Sequence, residues 1–137
     1  MGNVLRLELL SRHGLCQQLL EESLAYQLYL VERTGTLWEN ESPAASCDHG
    51  FASHGGVQVL YRDVLGLYRV DAVNKEVFLR FTDLRLDLCE RQVPTPDGPV
   101  DLRWRKKDGK LKYQLVTPAG HAVKVENRSP LELVPQP

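Results

Sequence analysis

One segment of the sequence, residues 34–50, gathers residue types that do chemistry on polar substrates. It places Trp38 next to Glu39 and also holds Glu41, Asp48 and His49. A connection of that length without a regular apolar pattern is usually functional, and such loops commonly carry binding and catalytic groups. An indole packs well on the apolar C–H face of a sugar, while a neighbouring carboxylate meets its hydroxyls or a reacting water. The segment therefore favours a carbohydrate site.

The elements on either side of this segment must position it, and both have the apolar pattern of amphipathic helices. Apolar residues recur at three- and four-residue steps over residues 15–33 and again over residues 51–65. A shorter helix is predicted over residues 4–12, ending near Gly14. Their broad apolar faces do not close into a layer, so we expect the following domain, another subunit or additional chain to cover them.

After Gly66 the apolar period changes from helical spacing to two, which is the period of half-buried strands. The dipeptide Asp108-Gly109 predicts a tight hairpin, because such turns need positive φ. The change of period predicts an α+β chain with a helical part over residues 1–66 and an antiparallel β-sandwich over residues 67–137. The alternating runs cover residues 77–82, 84–89, 100–105, 111–116 and 123–126.

Composition and charge narrow the function classes. Hydrophobic residues make up 42% of the 137 residues, which is enough for a packed core. The net charge of -1 makes nucleic acid an unexpected partner. No apolar run approaches the roughly 20 residues of a membrane helix, so no membrane partner is expected. The N-terminus is too polar and mixed for a signal peptide, and the compartment stays unassigned.

The cysteines and histidines suggest no metal or cofactor. The cysteine count is odd and no pair has ligand spacing, so buried, inert thiols are expected and no disulfide framework. The histidines outside the segment are scattered and form no ligand constellation. The residues concerned are Cys16, Cys47, Cys89, His13, His54 and His121.

Four motifs, in order along the chain, carry a resemblance to a known family. They are TLWE at residues 36–39, ASCDHGFAS at 45–53, TPDGPVDLRW at 95–104 and LVTPAGHAVKV at 115–125. The first two resemble the last hairpin of the (α/α)6 barrel in α-L-rhamnosidases of glycoside hydrolase family 78. The last two resemble the terminal β-sandwich of the same enzymes. The resemblance thus implies that residues 1–66 are the end of a six-hairpin barrel.

The resemblance implies roles for three residues in the segment. Glu39 corresponds to the catalytic general base of an inverting hydrolysis, and His49 to a residue that contacts the sugar. Trp38 serves either as a sugar platform or as ordinary core. The family's general acid lies in an acid-rich loop far upstream, and no such motif precedes Glu39. Met1 thus resembles the start of a truncated or split reading frame, and the isolated chain is expected to be inactive.

Two functions remain open on the sequence. The first is the C-terminal part of a glycosidase acting on terminal α-L-rhamnosides or similar sugars. The alternative is a non-catalytic β-sandwich module that binds carbohydrate or a protein, with a helical appendage. Expected partners are a rhamnose-containing glycoside and, at the apolar helix faces, an upstream barrel or a second copy.

Three other sets of residues receive a structural interpretation. Trp104 and Tyr113 lie at alternating strand positions and are predicted to pack in the core. The basic run at residues 103–107 is interpreted as a strand end and a solvated turn. Asp48 is more readily a helix cap than a catalytic acid, because a helix is predicted to begin there.

Overall fold

A computed structural model of the chain describes residues 2–35 and 57–137. The chain divides into two units, Met1–Leu60 and Tyr61–Pro137. Short helices come first, and two mostly antiparallel sheets follow, which is the arrangement of a β-sandwich. The predicted α+β organisation is confirmed at this level. The predicted barrel origin of the helical part stays a prediction.

The first unit contains the helices α1 (Gly2–Arg12) and α2 (Cys16–Thr34). Both helices follow the apolar periodicity, and the turn between them contains Gly14 with a φ of 72°. Their contact is built on a cluster of buried apolar side chains, and it is reinforced by Arg6, whose guanidinium donates two hydrogen bonds to Glu22 at 2.5 and 2.7 Å. The cluster consists of Leu7, Leu10, Leu19 and Val59.

Much of the apolar surface of these helices is exposed. The predicted face of α2 is only partly covered: Leu19 and Leu20 are buried, whereas Leu28 keeps 62% of its surface exposed. On α1, Leu5 and Leu9 line a shallow apolar groove. The further exposed side chains of this kind are Leu15, Leu24, Val31, Val57 and Leu60. The expectation of an uncovered apolar face therefore agrees with the described residues.

A helical segment leads into the sheets. Residues 57–59 are α-helical, and the chain continues as a π-helix over Leu60–Leu65. This segment is the last part of the helix predicted over residues 51–65, and residues 51–56 lie outside the described residues. Because a π-helix has more residues per turn, the side chains of this last stretch do not follow the 3.6 period used for the prediction.

Seven strands follow in two sheets. The three-stranded sheet has the order β1-β2-β6, and the four-stranded sheet has the order β3-β4-β5-β7. The strands are β1 (Leu67–Asp71), β2 (Glu76–Phe81), β3 (Leu88–Val93), β4 (Val100–Lys107), β5 (Lys110–Val116), β6 (Ala122–Asn127) and β7 (Glu132–Pro135).

The core of the second unit comes from the alternating residues of both sheets. Along β2 and β4, buried side chains take every second position, as the sequence predicts. Phe81 of β2 contacts Tyr113 of β5 with ring centroids 5.1 Å apart, so the two sheets meet through these rings. The fully buried members are Val77, Leu79, Phe81, Val100, Leu102, Trp104 and Leu111.

The sandwich is not purely antiparallel, and this corrects the prediction. Strands β6 and β7 pair in parallel with β2 and β5, whereas the other pairings are antiparallel. Both parallel strands lie at the edge of their sheet. The chain leaves the four-stranded sheet after β5, adds β6 to the other sheet and returns for β7. A strand reached by such a crossover, rather than by a hairpin, is free to run in parallel with its neighbour.

The strand predicted over residues 84–89 is also wrong in its bounds. Strand β3 begins at Leu88, and residues 82–87 have no strand conformation. These residues carry the chain from one sheet to the other, which prevents them from pairing in a ladder. Leu84 is nevertheless buried, and its carbonyl accepts a hydrogen bond from the Lys106 ammonium. The alternating leucines of this segment therefore do not form a strand before Leu88, although Leu84 is buried.

The hairpin between β4 and β5 is confirmed. Asp108 and Gly109 have φ values of 55° and 71°, as the tightest two-residue turns require. The turn fixes the register of the pair, in which Trp104 lies opposite Tyr113. Residues 103–107 are therefore the end of strand β4, as the interpretation as a strand end predicts, and the turn itself lies at Asp108-Gly109.

Candidate functional site

The residues predicted to do the chemistry lie between the two described ranges. Trp38, Glu39 and His49, together with the alternatives Glu41 and Asp48, belong to residues 36–56, outside the described residues. Before this segment, α2 ends at Thr34. Gly35 caps the helix with a φ of 77°, and its N–H donates a hydrogen bond to the Val31 carbonyl at 2.8 Å. After the segment the chain resumes as helix at residue 57.

A buried ion pair lies in the π-helix, which follows the predicted site in the sequence. The Asp63 side chain is 2% exposed, and its carboxylate lies 2.9 Å from Nε of Arg62. Burying a charged side chain costs free energy unless the charge is paired and hydrogen-bonded, and Arg62 provides this pairing for Asp63. The sequence reasoning did not single out Asp63. Asp63 follows Leu60 by three residues, a spacing that places it on the same side of a helix as an apolar residue. This spacing was the only hint in the sequence that Asp63 could be buried.

The end of the π-helix is fixed to the sandwich by two hydrogen bonds. The indole N–H of Trp104 donates to the Leu65 carbonyl at 2.9 Å, and the Arg80 N–H donates to the Gly66 carbonyl at 2.9 Å. Gly66 has a φ of 93°, and a Cβ there would lie 3.0 Å from the Arg80 carbonyl oxygen. Trp104 is therefore core, as predicted, and it also satisfies a carbonyl that the helix leaves open.

Three loops of the sandwich meet in a second charged cluster. The ammonium of Lys75 lies 2.6 Å from the Asp97 carboxylate and lowers the pKa of Asp97 from its ordinary value. The imidazole of His121 is 1% exposed, with Nε2 3.4 Å from the same carboxylate. Neither ring nitrogen has hydrogen-bond geometry to any described residue. The cluster joins the β1–β2 turn to the β3–β4 and β5–β6 loops.

The outer face of the four-stranded sheet holds two adjoining open grooves that share Arg103 and Gln114. The larger has a volume of about 490 Å³ and the smaller about 350 Å³. Both fall within the 300–1,000 Å³ range of ligand pockets in general. Carboxylates, guanidinium groups and carboxamides line the larger groove, while the smaller is lined by Arg103, Arg105, Lys112, Gln114, Gln136 and Pro137.

The outer face of the three-stranded sheet differs, because aromatic rings there are covered by cations. A bulge in β1 gives one extra residue, Tyr68, and the Arg80 guanidinium lies 3.6 Å from its ring centroid. Arg80 also lies 2.6 Å from Glu126, and Arg128 lies 2.7 Å from the same carboxylate. The charges on this face are therefore paired with one another.

Three further findings concern metal ligands, membrane spans and cysteines in the described residues. Over residues 2–35 and 57–137, no group of three or more acidic, histidine or cysteine side chains is arranged to hold a metal ion. No helix in those ranges is long and apolar enough to cross a membrane. Cys16 is buried and Cys89 half-buried, and burial raises the pKa of the Cys89 thiol, which disfavours the reactive thiolate. Cys47 lies outside the described residues.

The sandwich defines a class of domain, and the comparison with protein families identifies it. Residues 66–128 match the family of the bacterial alpha-L-rhamnosidase C-terminal domain. The matched segment begins at Gly66 and covers β1 to β6, a little under half of the chain. The sandwich is therefore similar to the α-L-rhamnosidase C-terminal domain, which confirms the resemblance for the motifs at residues 95–104 and 115–125 and leaves it a prediction for those at residues 36–53. No curated protein and no solved structure matches the chain.

Proposed function

We propose that the chain forms the C-terminal part of an inverting glycoside hydrolase that acts on terminal α-L-rhamnosides or similar sugars. The observation that carries this proposal is the rhamnosidase C-terminal domain directly after a helical part. In this proposal residues 1–66 complete a helical barrel, and residues 67–137 form the terminal sandwich domain. In this proposal the TLWE and CDHG motifs belong to the last catalytic loop, and their position in the sequence, after the helix that ends at Thr34 and before the one that leads into the sheets, supports this.

Within this proposal Glu39 is the general base and activates the attacking water. Inversion also needs a carboxylic acid on the other side of the bond, about 6.5–9.5 Å away, to protonate the leaving oxygen. Neither Glu41 nor Asp48 matches the family's acid motif. The acid therefore has to come from a part of the enzyme outside this sequence. Trp38 and His49 would contact the sugar, the indole on its apolar face and the imidazole on a hydroxyl.

An exchange experiment tests these roles. The corresponding C-terminal segment of an active α-L-rhamnosidase is replaced by residues 1–137, so that the host supplies the general acid. Glu39→Gln should lower kcat at least about 100-fold, because general base assistance is typically worth 10²–10⁴-fold. The KM for an aryl α-L-rhamnoside should change little, since Gln keeps the shape of Glu but takes no proton from water.

Two comparisons make the exchange experiment specific. Glu41→Gln, in the same segment, removes the same charge and should leave kcat nearly unchanged. His49→Ala should raise KM, because losing a polar contact costs about 1–3 kcal/mol and acts mainly on ground-state binding. The isolated chain should not hydrolyse the substrate. Turnover by the isolated chain that disappears in Glu39→Gln, or an unchanged kcat of the Glu39→Gln chimera, would contradict the proposal.

The non-catalytic alternative makes a different prediction for the same variants. A binding module has no general base. Glu39→Gln would then leave the turnover of the chimera unchanged, whether that turnover is absent or comes from other residues. A loss of kcat confined to Glu39→Gln therefore separates the two functions.

A further inference from the structure

The outer face of the β4–β5 hairpin carries more positive charge than its acids neutralise. The register places Arg105 directly opposite Lys112 and Lys107 opposite Lys110. Like charges directly opposite on a sheet repel one another and destabilise the pairing. Such a row is stable only where other charges compensate it or where water screens it fully.

Part of this charge is compensated by neighbouring acids. Arg103 lies 2.9 Å from Glu90, Lys110 lies 2.8 Å from Glu132, and Lys112 lies 3.2 Å from Asp108. Among residues 2–35 and 57–137, neither Arg105 nor Lys107 has an ion-pair partner. Arg105 and Lys107 are thus two cations without a paired acid, while Asp101 on the same strand face accepts a hydrogen bond from Gln92, and Arg105 lies in the wall of the smaller groove.

The grooves supply a surface on which a ligand can use this charge. Among the described residues, three cations and no acidic side chain line the smaller groove. In the adjoining larger groove, Gln92 donates to Asp101 at 3.2 Å, which orients an acceptor and a carboxamide along β3 and β4. An extended ligand across the strands would meet hydrogen-bonding groups first and cations next.

The absence of an aromatic platform decides the ligand class. No aromatic side chain lines either groove in the described part of the chain. A neutral sugar would then exchange hydrogen bonds with water for hydrogen bonds with protein, which gains little. A carboxylate gains more, because charge-assisted bonds to Arg and Lys are roughly twice as strong as neutral ones.

We infer that the outer face of the four-stranded sheet binds an acidic oligosaccharide. A uronate carboxylate lies between Arg105 and Lys112, and hydroxyls of the adjacent unit meet Gln92, Asp101 and Gln114. The inference rests on the proposed carbohydrate function and adds to it a class of ligand and a second site. It also gives the opposed cations Arg105 and Lys112 a role, since the ligand's carboxylate relieves their repulsion.

Titration of the ¹⁵N-labelled full chain with a galacturonate tetrasaccharide, followed by NMR, tests this site. The expected shifts lie on the amides of β4 and β5 and on those around Gln92 of β3. The Arg105→Gln/Lys112→Gln variant should bind at least about tenfold more weakly than the unaltered chain. Raised salt should weaken binding by the unaltered chain, because it screens the charges. The Lys124→Gln/Arg128→Gln variant loses the same charge from the other sheet and should bind as the unaltered chain does. The methyl-esterified tetrasaccharide has the same rings without the charge and should bind at least about tenfold more weakly.

Several results would overturn the inference. They are equal binding of the methyl ester, an equal loss in the Lys124→Gln/Arg128→Gln variant, and shifts that do not lie on β4 and β5. Tighter binding of a glutamate peptide or an oligonucleotide of equal charge would assign the surface to another class of partner. This titration involves no turnover and no residue before Leu88. An exchange experiment in which Glu39→Gln has no effect would therefore refute the hydrolase roles and leave this result standing.

Discussion

At the scale of single residues, a few positions fix the sandwich, and some of them follow from the alternation of apolar residues or from turn chemistry. Trp104 is buried and Asp108-Gly109 forms the tight hairpin. The burial of Asp63 and His121 could not be read from the pattern, because acidic residues are almost never fully buried and histidine is only intermediate in burial. The same is true of Gly66, whose constraint comes from the distant Arg80 carbonyl.

The constraint at Gly66 leads to a stability prediction. Gly66→Ala combines positive φ with a Cβ at 3.0 Å from a carbonyl oxygen, and we expect it to lower the free energy of unfolding by about 1–3 kcal/mol. Gly120→Ala is the matched control, because its φ is 81° but no atom lies within 4 Å of the added Cβ. Urea unfolding of the full chain measures both. An equal cost at the two positions would show that the close approach to Arg80 does not matter.

At the scale of elements, periodicity predicted the helices and most strands, but not how the edge strands pair. Nothing in the alternation of residues 123–126 indicates that β6 runs parallel to β2, because strand direction depends on the path of the connections. The strand predicted at residues 84–89 failed for a related reason. Its leucines are spaced like a strand, yet the segment crosses between sheets.

The contact between α1 and α2 predicts a dependence on pH. Hydrogen bonds from Arg6 lower the pKa of Glu22 from 4.5 to about 2. A lowered folded-state pKa stabilises the hairpin fully above pH about 4.5, and this contribution is lost as the pH falls towards 2. The thermal midpoint of the helical signal at 222 nm should therefore fall across this range.

The control for the pH dependence lies on the same helix. Glu22→Gln should remove much of the fall and lower the midpoint at neutral pH. Glu32→Gln removes a carboxylate for which the described residues give no ion pair, and it should leave the fall in place. A pH profile that is unchanged by Glu22→Gln would contradict the role of this pair.

At the scale of the whole molecule, the sandwich and the helical unit contrast in how well they bury their apolar residues. The sandwich has a core of buried alternating residues, although β6 is exposed along its length, whereas α1 and α2 leave leucines such as Leu5 and Leu28 more than half exposed. An exposed apolar row of this kind marks a surface that another structure covers. The proposed enzyme offers the remainder of its barrel as that cover, and self-association of the chain remains the other expectation.

The proposed catalytic role of Glu39 rests on the resemblance alone, because a surface glutamate is otherwise an ordinary solvated group. The rhamnosidase C-terminal domain supports the family at residues 66–128 and leaves residues 36–56 to experiment. The grooves to which we assign acidic oligosaccharide binding, in contrast, were not predicted. The basic residues at 103–107 were visible, but the β4–β5 register that sets them against Lys112 and Lys110 emerges only from the fold.

Chemical rescue of Glu39→Ala in the chimeric enzyme is the most direct test of the hydrolase proposal. Azide is a nucleophile that needs no base, and in the space left by the carboxylate it can attack the anomeric carbon as the protonated aryl oxide leaves. We expect azide to restore turnover and to yield the rhamnosyl azide with inverted, β configuration, because the base of an inverting enzyme acts on the face opposite the leaving group. No rescue, or an azide product of retained configuration, would contradict the assignment of Glu39.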